Sequence, residues 1–143
     1  MPWLDELVIL MDDANVGTLG VDMFTSTKSA PPILASGEAT LSIVETSGSS
    51  PERTQNSVIK PAYLNLAAQF LARAGTYAKA KAKAQAAYDA VVGIRNVTVT
   101  DNALISGWYR EITPLQEPFD AGVDDRGQAR CAFNVIAIRS TKT

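Results

Sequence analysis

The densest group of potential ligands in this 143-residue chain is DAGVDDRG, which carries Asp120, Asp124 and Asp125. Carboxylates this close together could hold a calcium ion. The EF-hand spacing is absent, however, because Gly122 follows two positions after Asp120 and no glutamate closes the loop. Aspartate and glycine are also what a tight turn needs, with Gly127 able to take positive φ, so a turn is expected. Asp12 and Asp13 form a second acidic pair, but nothing near them suggests acid–base work, and they read as a solvated helix end. The chain has no histidine. That removes the commonest general base and metal ligand, and with them any Ser-His-Asp triad. Neither serine cluster, TSGSSP or ISGWY, matches the G-x-S-x-G elbow, which leaves a Ser–Lys dyad as the one serine chemistry still open. The single cysteine, Cys131, lies in the apolar run ARCAFNVIAI and reads as a small buried thiol. No catalytic group, metal site or cofactor is expected.

Nucleic-acid binding is the other chemistry to weigh, because TYAKAKAKAQAAYDAVVG places Lys79, Lys81 and Lys83 between alanines. The alternation imitates a strand, but alanine and lysine favour helix and no β-branched residue intervenes between Thr76 and Val91. Thr76 suits an N-cap and Gly93 a C′ position. At about 100° per residue, Tyr77, Ala80, Ala84, Ala87, Tyr88 and Val91 share one face. Lys79 and Lys83 fall together on a flank and Lys81 points elsewhere, so solvated flanks are expected in preference to a basic stripe. GTLG at Gly17 to Gly20 resembles the clamp of a KH domain only as a string. The NVT sequon at Asn96 has no bearing in a reducing compartment.

The elements that position these residues follow from periodicity. PWLDELVILMDDANVG presents Trp3, Leu4, Leu7, Val8, Leu10 and Met11 as the stripe of a helix of about three turns, with Pro2 suited to its first turn and Gly17 as a stop. LGVDMFTS and TLSIVETSG read as strands, the second with Leu41, Ile43 and Glu45 on one face. AYLNLAAQFLARAG alternates Leu64, Leu66, Ala68, Phe70 and Ala72 against more polar positions, which favours a strand over a helix. IRNVTVT is a strand with Val97 and Val99 inward. DNALISG, from Asp101 to Gly107, reads as a loop. WYREITPLQ and QARCAFNVIAIRS are two further strands, joined by a turn-rich connection containing Pro114, Pro118 and DAGVDDRG. The expected architecture is α+β: one domain over residues 1–143, with an antiparallel or mixed sheet of about five to six strands and two main helices packed on one side.

Composition bounds the partners. With 46% hydrophobic and 20% charged residues the chain is that of a globular domain, and its net charge of −2 favours neither nucleic acid nor an acidic membrane surface. No apolar run approaches the roughly 18 residues of a membrane span. MPWLDELVIL lacks the basic n-region of a signal peptide, so synthesis in a reducing cytoplasm is expected. What remains for function is surface. SGSSPERTQN supplies Ser49, Ser50, Pro51, Glu52, Arg53, Thr54, Gln55 and Asn56, and the loop beginning at Asp101 and Asn102 supplies a second exposed segment. Both are candidate interface loops.

Just over half the chain, from about Tyr63 to Arg139, resembles the tail terminator proteins (minor capsid or tail completion proteins) of long-tailed bacteriophages. The likeness rests on a strand feeding a small-residue helix, a G-x-R-N turn at Gly93 to Asn96, Gln116 to Phe119, and G-x-D-x-R-G at Gly122 to Gly127. The loop TDNALISG looks longer than the turn expected there, and the polar region from Thr25 to Ser57 does not align. The resemblance implies a structural virion protein and no enzyme. It implies a homo-oligomeric ring, a hexamer, on the head-proximal end of the tail tube. Its partners would be the tail tube protein and a head completion or connector protein. Phage DNA would pass through the ring near Lys79, Lys81 and Lys83 without being read. Other head–tail connectors, and a nucleic-acid-binding domain using Lys79, Lys81 and Lys83 of this helix together with Arg73, are the alternative readings.

Overall fold

The computed structural model describes residues 3–25, 38–46, 63–101 and 104–140. Within them the chain runs α1 (Trp3–Asp13), β1 (Met23–Thr25), β2 (Thr40–Thr46), β3 (Tyr63–Ala74), α2 (Tyr77–Val92), β4 (Arg95–Asp101), β5 (Leu104–Pro114), β6 (Phe119–Val123) and β7 (Ala129–Ser140). The sheet order is β1-β2-β3-β7-β5-β4, with β6 also paired to β7. β1 runs parallel to β2 and every other pairing is antiparallel, so the sheet is mixed. The sheet curls: α1 touches β1 and β2 near one end of the strand order and β4 at the other. The fold is α+β, as expected, with seven strands among the described residues where about five to six were anticipated.

β3 and β7 form the centre because both are long, apolar on one face and free of proline. All twelve residues of β3 pair in register with β7. This alternation puts Ala68, Phe70, Ala72 and Ala74 beside Val135, Phe133, Cys131 and Ala129 on one face. Phe70 and Phe133 stack with centroids 4.9 Å apart, and Tyr88 of α2 meets Phe133 edge-on at 5.7 Å. Cys131 is fully buried, and burial pushes its thiol pKa up.

α2 lies close to this face because its contact residues are small. Ala80, Ala84, Ala87 and Val91 are buried, as the helical spacing required, while Tyr77 stays exposed. Thr76 is the N-cap, its hydroxyl accepting from Lys79 N at 3.3 Å. Gly93 departs from expectation: it closes the helix with φ −93°, a conformation open to any residue. The end of α1 also differs. Asn15, at φ 60°, takes the left-handed position expected of a glycine stop. Val16 N donates to Met11 O and Asn15 N to Asp12 O, both at 2.9 Å, a Schellman closure that turns Val16 into the core. Gly17 serves a close approach instead, since a Cβ there would lie 2.7 Å from Met23 Cγ.

Three strand expectations need correction. β1 is only three residues long, because Leu19 to Asp22 form a turn in which Thr18 O accepts from the backbone N–H groups of Val21, Asp22 and Met23. Asp101 and residues 104–107, read as loop, are strand: Asp101 pairs with Leu104, and β5 continues through Gly107. β6 lies within the stretch read as connection. β5 and β6 take turns along the same edge of β7, and Gln116 bridges their junction by accepting from Asn134 N at 3.0 Å.

Leucine at position 84 would force a larger side chain between α2 and the sheet. Urea unfolding should show Ala84→Leu destabilised by about 1–3 kcal/mol, against about 0.5 kcal/mol or less for the exposed control Ala82→Leu.

Candidate functional site

Three polar constellations join elements that are distant in sequence. The first is buried. Glu6 sits in the apolar stripe of α1 with no exposed surface, accepting from Arg139 Nε of β7 at 2.8 Å and from Tyr109 Oη of β5 at 3.3 Å. Its second oxygen, Oε2, has no hydrogen-bond partner among the described residues. It lies where a side chain at position 107 would go: a Cβ on Gly107 would be 2.5 Å from Oε2 and 2.6 Å from the Arg139 guanidinium. The site is made by bulges. Between Tyr109 and Glu111 the register with β7 shifts, so Tyr109 and Ile112, three apart, are both buried. Burial, and next the Glu6 charge, push the Tyr109 hydroxyl pKa up. A carboxylate with no exposed surface meets no substrate in this arrangement; its work is to fix α1 onto the sheet.

The second constellation ties α2 to the turn after α1. Lys83 Nζ donates to Val16 O at 2.5 Å and to Asp22 Oδ2 at 2.8 Å, and Asp22 Oδ1 accepts from Thr18 N at 2.7 Å. Partial burial would raise the Asp22 pKa, but the Lys83 ammonium and the Thr18 N–H outweigh it and the net shift is downward. Lys81 reaches the opposite flank, donating to Pro118 O at 2.7 Å. Lys79 and Lys83 share a shallow groove of about 370 Å³ with Glu38, Ala39, Ala82 and Ala86. The lysines therefore divide between two flanks as the spacing requires, but Lys81 and Lys83 are half-buried and hydrogen-bonded to the protein, where solvated flanks were expected.

The third is the turn between β6 and β7. Asp124 Oδ1 accepts from Arg126 N and Gln128 N, both at 2.9 Å, and Asp120 Oδ1 accepts from Gly122 N at 2.8 Å. Gly122 and Gly127 have φ of 85° and 80°. These carboxylates thus do the backbone work of a turn. Asp124 Oδ2 also faces Arg73 Nε at 3.5 Å; this is a charge contact and lacks hydrogen-bond geometry, since Nε has no bonded acceptor. Burial lowers the Arg73 pKa, Asp124 opposes that, and the neighbouring Arg130 and Arg126 add to it. Arg130 in turn donates to Ala121 O at 2.9 Å.

Of the other positions singled out from sequence, Asp12 and Asp13 are exposed at the end of α1. Residues 49–56 and Asn102 lie outside the described residues, and Asp101 closes the β4–β5 pairing. Among the described residues no group of three or more His, Cys, Asp or Glu is placed to hold a metal ion, and no helix is long and apolar enough to cross a membrane. Sequence reasoning missed Glu6, Asp22, Tyr109 and Arg139, and it offered Arg73 only to nucleic acid, without its Asp124 contact. Glu6 left one trace: a charge between Trp3 and Leu10 at helical spacing, inside an otherwise apolar stripe. Compared with protein-family models and with curated proteins, the chain matches none.

Removing one member of a buried ion pair strands the other. Arg139→Met should cost about 3–5 kcal/mol in chemical denaturation, and the double variant Glu6→Gln/Arg139→Met should recover part of that loss. The raised Tyr109 pKa contributes stability that is complete below the unfolded value of about 10 and is lost as pH rises through the folded value. Wild-type stability should therefore fall more steeply above about pH 10 than that of Tyr109→Phe. Asp22 has the opposite sign. Its contribution holds above an unfolded pKa of about 3.9 and is lost as pH falls through the lower folded value, so Asp22→Asn should flatten the acid limb of a stability–pH curve.

Proposed function

We propose that the chain is a structural virion protein of a long-tailed phage. It caps the head-proximal end of the tail tube as a ring, ends tube polymerisation and offers a docking face to head completion proteins. The observation that carries the reading is where its family-like residues fall. Asn96 takes φ 51° at the start of β4, Gln116 bridges β5 and β6, and Gly122 and Gly127 take positive φ in the β6–β7 hairpin. The residues behind the resemblance thus have backbone duties, so what the likeness carries over is a way of folding, and a ring part works by shape.

In this reading both helices lie on one side of the sheet. Tyr88 of α2 meets Phe133 and Glu6 of α1 meets Arg139, and positions 133 and 139 share a face of β7 by alternation. A head-to-tail ring also needs two unlike patches on each subunit. The two ends of the strand order are unlike: β1 is a three-residue parallel strand and β4 a seven-residue antiparallel one. The proposed partners are further copies of the chain, the tail tube protein and a connector protein. Phage DNA is in transit only, and the protein acts as no enzyme, in the tail–neck region of a virion assembled in the bacterial cytoplasm.

Native mass spectrometry of the purified protein, over a range of concentrations and with and without short DNA, tests this. A hexamer that forms without DNA is the expected result. A monomer that binds DNA tightly would overturn the ring in favour of a nucleic-acid-binding domain.

A further inference from the structure

We draw no further inference here: the strongest candidate, the cluster of Arg73, Arg126 and Arg130 beside the β6–β7 turn, has Asp124 and Asp125 as internal counter-charges, and nothing in the structure shows what anion or neighbouring chain it would receive.

Discussion

β7 is hydrogen-bonded along both edges, and the rest of the fold is arranged around that constraint. On one side it takes the whole of β3 without a register shift; on the other it takes β5 and then β6. A strand paired on both sides cannot turn polar groups inward cheaply, because a buried polar group without a partner costs on the order of 1–3 kcal/mol. Its inward row from Cys131 to Ala137 is accordingly apolar. Arg139, at the end of that row, is the exception, and it is answered by Glu6.

The two helices are held to the rest of the fold by different physics. α2 depends on small side chains, with Ala80, Ala84 and Ala87 letting it approach the aromatic centre. Its lysines add ties at the flanks, to Pro118 on one side and to Asp22 and Val16 on the other. α1 brings Leu4, Leu7, Val8 and Met11 to the core but is also held by a buried charge pair. Such a pair adds little net stability compared with apolar packing, yet it penalises misplacement heavily. Gly107 belongs to the same arrangement, since any side chain there would intrude on both charges. Glu6, Arg139, Lys81, Lys83 and Asp22 thus each locate one element against another.

How much of this was legible in the sequence depended on periodicity. β3 could be read because Leu66, Ala68, Phe70 and Ala72 keep a strict period of two through a regular pairing. α2 could be read because its alanines outweigh a coincidental alternation of lysines. β6 could not: FDAGV is almost wholly exposed, and its bulge between Asp120 and Gly122 breaks the inside–outside pattern. The first half of β5 was hidden by turn-forming residue types in a segment that the hairpin holds extended. The Glu6–Arg139 pair was hidden by distance, since its members are 133 positions apart. Periodicity reports local faces, and long-range charge pairing leaves only a single misplaced acid in an apolar stripe.

If the two-sided pairing of β7 organises the molecule, its central amides should be the last to open. Native-state hydrogen exchange, read residue by residue by NMR, measures this directly. Amides from Cys131 to Ala137 are expected to exchange only through global unfolding, with the same dependence on denaturant as the whole molecule, while β1 and β6 exchange earlier. Exchange of the β7 centre through a small local opening, with α1 or β4 still protected, would contradict it.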